Sequence, residues 1–221
     1  MDLFVAANRP YIRRMRPRHL PTFAQIDAWP AFSPAAPLRI VTSGCLAGQP
    51  VGVDGGTNGA YPLSARLLAL PTVDVVAFCP ENAAFGTPRA TPDIDGGDGF
   101  DVLDGHARVI DDAGEDGTEA LLAAATHMGE LARGAHLALM LDISATCGSS
   151  VIYAGLRQNG RYRLGPGVAS AAILRAGVPV VSQRDERTLA RIFAKLGVDP
   201  SALLTDGLDH HERPWYRSTF G

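Results

Sequence analysis

The chain has 221 residues, 46% of them apolar, and a net charge of −3, which suits one α/β domain with extensions and a full core. That charge offers no basic field for nucleic acid or an anionic lipid surface, and no run of about 18 apolar residues suggests a membrane-spanning helix. Of the 20 basic residues, Lys195 is the lone lysine, which argues against Schiff-base chemistry and a phosphate-binding loop built on lysine.

Residues 1–37 are rich in Pro and Arg and lack a clear period. They read as an irregular arm that wraps the domain or a second copy of the chain, a possible route to a homo-oligomer. The arginines follow the short apolar stretch, so the segment does not read as a secretory signal, and a cytoplasmic location is expected. The core begins at the apolar run 38–43 (LRIVTS), which suits a buried parallel strand. A Gly-rich loop follows, then a helix over 63–70 and a strand over 73–79 (VDVVAFC). The stretch 80–100 has little periodicity and reads as a long loop, either functional or disordered. Residues 101–111 alternate and carry Asp104-Gly105, a hairpin signal. Apolar spacing predicts a helix over 117–134, with Gly134 as its stop. A third buried strand is expected over 136–143 (HLALMLDI) and an edge strand over 150–156. Beyond Gly165-Pro166-Gly167 come a helix over 168–176, a strand over 178–182 and an amphipathic helix over 184–197.

Strands alternating with helices imply an α/β fold: three layers around a mostly parallel, Rossmann-like sheet, with a small hairpin insertion. The expected organisation is an arm (1–37), one α/β domain (38–197) and a C-terminal tail (198–221). Ligands of such sheets bind beyond the carboxyl ends of the strands.

The three cysteines fall at that edge. Cys45 is two residues past the first strand, Cys79 ends the second, and Cys147 follows the third. Three cysteines suit no paired disulfide framework. They are either three unrelated buried thiols or a converging set that suits a soft metal or an iron–sulfur cluster. Zinc in a structural site would need a fourth ligand, and no histidine offers one: His136 starts a strand at the far edge, His127 lies in a helix, His106 borders the hairpin turn, and His210 and His211 read as solvated tail residues. Small residues flank each cysteine, and Gly44, Gly48 and Gly148 allow a backbone to approach a bulky group closely.

The stretches VTSGCLAGQPVGVDGG, CPENAAFGTPRATPDI, DISATCGSSVIYAG and GPGVASAAILRAGVPVVS together resemble the domain-of-unknown-function 523 family, whose best understood members are thiouracil desulfidases. The resemblance spans roughly residues 38–183. It implies a [4Fe-4S] cluster held by three cysteines, which match Cys45, Cys79 and Cys147, with a fourth iron that binds the sulfur removed from a thiolated pyrimidine without net redox change. The chain departs from the common pattern at Gly44, at Gly52-Val53, at 82–89, and at Ala145, where the family usually has proline. These changes surround the pocket, so cluster binding carries over better than substrate identity.

Beside such a cluster, Glu81 is the natural acid/base residue for water attack on the carbon bearing sulfur; its alternative role is that of a carboxylate at a helix N-terminus. Ser144, paired with Glu81 as a catalytic candidate, and Thr146 would contact substrate or cluster, or else cap the following turn. Arg89 would clamp a polar group of the substrate, or pair with Asp93. Asp54 is assigned to the substrate loop, which it organises through an Asx turn. The N–H groups that open the helix after Gly167 could hold an oxygen or anion. The expected partner is a small molecule such as a thiolated pyrimidine. The alternative is an iron–sulfur binding or sensor protein without turnover, and a cluster-free hydrolase with one nucleophilic thiolate ranks last for want of an activating histidine.

Overall fold

A computed structural model describes residues 17–57 and 61–221. These residues form eight strands and eight α-helices. After α1 (Phe23–Ala28) come β1 (Leu38–Ser43), α2 (Pro62–Leu68), β2 (Val73–Phe78) and α3 (Pro80–Phe85). They are followed by β3 (Asp93–Asp95), α4 (Gly99–Leu103), β4 (Arg108–Ile110), α5 (Thr118–Ala132) and β5 (Leu137–Met140). The chain closes with β6 (Val151–Tyr153), β7 (Tyr162–Leu164), α6 (Val168–Arg175), β8 (Val180–Ser182), α7 (Glu186–Lys195) and α8 (Pro214–Phe220).

Four strands form the central sheet in the order β2-β1-β5-β8, every neighbouring pair parallel. Side chains alternate across it, as the pleat requires. Val41, Ala138, Met140 and Val180 join one core with Leu121, Met128 and Ile173 from α5 and α6. Leu38, Ile40, Leu137, Leu139 and Val181 join the other with Ile26, Leu67, Leu189 and Phe193 from α1, α2 and α7. The sheet thus has helices on both faces, the three-layer arrangement expected of parallel strands that are apolar on both sides. The chain adds β2 on one side of β1 and β5 on the other, so the direction of winding reverses between β1 and β5. That reversal opens a crevice at the carboxyl ends, where ligands of open α/β sheets bind.

Two small antiparallel pairs, β3-β4 and β6-β7, flank the sheet. The first corrects the expected hairpin at Asp104-Gly105. Asp98 accepts from the N–H groups of Phe100 and Asp101, while Asp101 accepts from the Asp98 N–H. This capping box starts α4 where alternation alone favoured a strand. Asp104-Gly105 follows the end of α4, and β4 pairs with β3 across the inserted helix. The supposed long loop 80–100 is equally structured, holding α3, β3 and the start of α4.

Residues 1–16 of the expected arm lie outside the described part, as do 58–60. The rest of the arm packs on the domain: a Thr22–Gln25 capping box starts α1, Ile26 is fully buried, and His19 O accepts from Val180 N at 2.9 Å. Among the described residues no helix is long and apolar enough to cross a membrane.

Candidate functional site

Cys45, Cys79 and Cys147 are free and buried. They follow β1, β2 and β5, three adjacent strands of the parallel sheet. Neighbouring strands are about 4.8 Å apart, so three strand ends deliver their thiols to one small region. Cys45 and Cys147 flank the reversal point. Contact between the first two segments is direct, since a Cβ placed on Gly44 would stand 3.3 Å from the Cys79 Cβ.

Each segment is held by its own polar frame. Cys79 caps α3, its sulfur accepting from Asn82 N–H at 3.4 Å while its S–H faces Val51 O at 3.7 Å. Cys147 lies farther from its strand than the sequence suggests, because β5 ends at Met140. The intervening turn is built by Ser144, whose Oγ accepts from the N–H groups of Thr146 (3.3 Å) and Cys147 (3.1 Å). Gly148 is required there: a Cβ would come within 2.5 Å of Ser144 O and 2.7 Å of Val151 O.

The first turn of α6 closes over this loop. Gly167 N donates to Gly148 O (2.8 Å), Val168 N to Ala145 O (2.9 Å), Ala169 N to Thr146 O (2.9 Å) and Ser170 Oγ to Cys147 O (2.9 Å). The helix-opening N–H groups expected to hold a ligand's oxygen therefore hold the carbonyls of the cysteine loop. The backbones touch, so that a Cβ on Gly167 would stand 2.5 Å from the Thr146 carbonyl carbon.

Glu81 lies in the first turn of α3, and its Oε2 accepts from Arg89 Nε (3.2 Å) and Nη2 (2.8 Å). Arg89 spends its other donors on protein as well: Nη2 on Val51 O, and Nη1 on Gly52 O, Gly86 O and Thr87 Oγ1. The guanidinium thus ties Glu81 to the Gly-rich loop in place of reaching outward as a clamp. The alternative partner, Asp93, is buried and bonded to Arg157 at 3.0 Å. Asp54 is exposed and forms the expected Asx turn, accepting from Gly56 N at 2.8 Å.

Burial pushes the Cys147 thiol well above its usual range, and the charges of Cys45, Glu81 and Cys79 push it the same way. Burial also raises Cys79, against the Asn82 N–H. For both thiols burial outweighs the favourable Arg89 charge, so the protein alone holds Cys79 and Cys147 toward their neutral forms. Three buried hydroxyls beside the cysteines, Ser43, Thr146 and Ser149, lack a hydrogen-bond partner among the described residues. Buried polar groups are seldom left so. A cationic, sulfur-rich group would relieve both conditions by stabilising the thiolates and accepting from the hydroxyls. Among the described residues no three His, Cys, Asp or Glu side chains gather as one metal ion would require; a cluster spreads its thiolates over separate irons.

His136 is at the opposite edge, its Nδ1 accepting from Arg39 N at 3.0 Å, and His127 is exposed on α5. His210 corrects the solvated reading: it is 2% exposed, and its Nδ1 bonds Asp142 Oδ2. Burial would raise the Asp142 carboxyl, but His210 and the N–H groups of Ser150 and Val151 overcome it and hold the pKa at about 2. Burial, then Asp209 and Asp142, push Asp185 up to about 7. Burial and the same carboxylates Asp142 and Asp185 push Tyr216 up to about 12. This buried polar group was missed in the sequence, where the tail DHHERPW has no spacing that ties it to Asp142.

The comparisons with known proteins match this region. The sequence model of 2-thiouracil desulfurase covers residues 40–185. The chain belongs to the 2-thiouracil desulfurase family. Bacillus subtilis (strain 168) YbbK is 34% identical over 152 residues, 66% of this chain and 96% of YbbK. The solved structure of TudS, described as a [4Fe-4S]-dependent thiouracil desulfidase, matches with a TM-score of 0.52 and 33% identity, over 65% of this chain and 89% of TudS. The desulfurase match contains all three cysteines, Glu81 and Ser144, and it stops short of His210.

Proposed function

We propose that this chain is a [4Fe-4S]-dependent desulfidase that hydrolyses the C–S bond of a thiolated nucleobase such as thiouracil and releases sulfide. The observation that carries the reading is the set of three buried thiols at the ends of adjacent strands β2, β1 and β5, in a member of the desulfurase family that resembles TudS. Cys45, Cys79 and Cys147 would hold the cluster. When bound, it supplies an iron without a protein thiolate, able to act as a Lewis acid toward sulfur.

The chain's own residues do the rest. The net reaction adds water at the carbon bearing sulfur and expels sulfur as hydrogen sulfide, so the carbon gains oxygen and no electrons are transferred. Glu81 moves the proton. Both Arg89 bonds end on Oε2, which fixes the carboxylate and leaves Oε1 for proton exchange with water and the leaving group. Ser144 shapes the Cys147 turn through its Oγ, and Thr146, buried with an unpartnered hydroxyl, is the donor toward the bound groups. Asp54 and Arg89 act on substrate indirectly, through the Gly-rich loop.

The test is anaerobic purification and reconstitution, assay of iron and acid-labile sulfide, and a screen for sulfide release from 2-thiouracil and related thioamides. Glu81→Gln should keep the cluster and lose roughly 10²–10⁴-fold in turnover, the range of a general acid–base contribution. Normal sulfide release by iron-replete Glu81→Gln protein would return Glu81 to a structural role.

A further inference from the structure

Asp142 staples the loop that carries Cys147. Its buried carboxylate accepts from Ile143 N (3.1 Å), Ser150 N (3.1 Å), Ser150 Oγ (2.9 Å) and Val151 N (2.9 Å). These groups lie at the two ends of the 143–150 loop, which one carboxylate therefore closes. The closure acts against strain, because Ile143 has φ of +59°, a left-handed conformation costly for a β-branched residue and kept only when its surroundings impose it.

One more donor reaches Asp142, and it comes from far along the chain. His210 bonds Oδ2 through Nδ1. The ring is held flat against Trp215, with centroids 5.4 Å apart and planes within 3°, and edge-on to Tyr216. Its backbone N–H donates to Asp185 Oδ1 at 3.0 Å. The preceding Asp209 accepts from Thr188 N and Oγ1, both at 2.8 Å, and Glu186 accepts from three N–H groups over Thr205–Gly207. The tail segment is thus anchored on α7 independently of the loop, and the imidazole is a rigid donor.

We propose that His210 is a positioning residue for Cys147: by bonding Asp142 it locks the 143–150 loop and sets how the thiol is presented to the site. His210 lies beyond residues 40–185, the span matched by the desulfurase model, so in this chain a segment outside that span is part of the site's frame. The consequence for a bound cluster rests on the function proposed above; the effect on the loop does not.

The first experiment therefore uses apo protein, reduced and anaerobic, with alkylation by iodoacetamide followed at each cysteine by mass spectrometry. In His210→Ala, Cys147 should react roughly tenfold faster or more, since a lost bond to a buried charge raises local opening by at least that factor. Cys45 and Cys79 should stay within about twofold, the same reasoning leaving their own frames untouched. His210→Asn, whose amide stands near the place of Nδ1, should restore protection, while His210→Gln, which reproduces the other ring nitrogen, should not. If His210→Ala fails to fold, the Asn and Gln variants decide by the same difference. Equal acceleration at all three cysteines, or none at Cys147, would overturn the proposal. In reconstituted protein, chelator-driven iron release should be faster for His210→Ala and normal for His210→Asn. A wild-type protein that takes up no iron would defeat the cluster reading and leave the alkylation result standing.

Discussion

Gly167→Ala tests how closely the α6 terminus must approach the cysteine loop. The native φ and ψ of Gly167 are −71° and 168°, open to any residue, so a loss cannot come from backbone conformation. It comes from space: the added Cβ would stand 2.5 Å from Thr146 C and 2.6 Å from the carbonyl oxygens of Ala145 and Thr146, where ordinary contact begins at 3.4 Å. The obstacle is backbone on both sides, so no rotamer change clears it. The two segments must part by about 0.8–0.9 Å, which would stretch the 2.8–2.9 Å bonds joining Gly167–Ser170 to the loop beyond useful range. At roughly 1 kcal/mol net per bond, with a further 1–3 kcal/mol for overpacking and partial relief by relaxation, the expected loss is about 3–5 kcal/mol. That is a large fraction of a domain's stability. Urea denaturation followed by far-UV circular dichroism measures it, and alkylation of Cys147 should accelerate in parallel. A Gly167→Ala midpoint equal to wild type, with Cys147 still protected, would refute the claim that this contact holds the loop.

Arg89→Met should cost about 3–5 kcal/mol, because it strands a mostly buried Glu81 without its cation; a loss under about 1 kcal/mol in urea would deny Arg89 its role as a strap. Asp185 should make stability fall with rising pH. Its folded pKa of about 7 lies above the ordinary aspartate value of about 3.9, so its contribution is fully present below pH 4, is lost progressively up to about pH 7 and is flat above, by at most about 4 kcal/mol. Asp142, held at about 2, acts oppositely, supporting the fold above pH 4 and losing that support toward pH 2. Asp185→Asn should thus show a smaller drop in urea midpoint between pH 5 and 8 than wild type, and an unchanged drop would place the titration elsewhere. Cys147→Ser should keep the far-UV spectrum, since β5 is buried by its own apolar side chains, while losing iron in anaerobic reconstitution; full iron content in that variant would remove Cys147 from the ligand set.

The sheet was legible because its strands are continuous apolar runs between helices of clear period. LRIVTS and LALM specify strands buried on both faces, VDVVAF specifies a half-buried edge strand, and short parallel connections carry the residues that follow to one edge. The placement of Cys45, Cys79 and Cys147 follows from that local information. The β3–β4 pair bears out the small antiparallel insertion, but its connection is a helix and not a tight turn at Asp104-Gly105, because Asp98 and Asp101 cap α4 and a reciprocal cap outweighs a weak alternation.

Other features depended on contacts that no local pattern encodes. Arg89 was expected to face a ligand or Asp93, but where a long side chain spends its donors depends on which carbonyls the fold brings near, here those of Val51 and Gly52, far back along the chain. His210 reaches Asp142 across 68 residues, and its neighbours in sequence are polar, so spacing alone places it in solvent. Sequence periodicity by itself determined the strands, the edge where they end and the three thiols found there, because burial on both faces of a strand is written in its own side chains. Only the tertiary structure decided which carboxylates are paired, which N–H groups hold the Cys147 loop and that the C-terminal segment reaches the site, because a hydrogen bond needs two groups within about 3 Å and the chain brings such partners together only on folding.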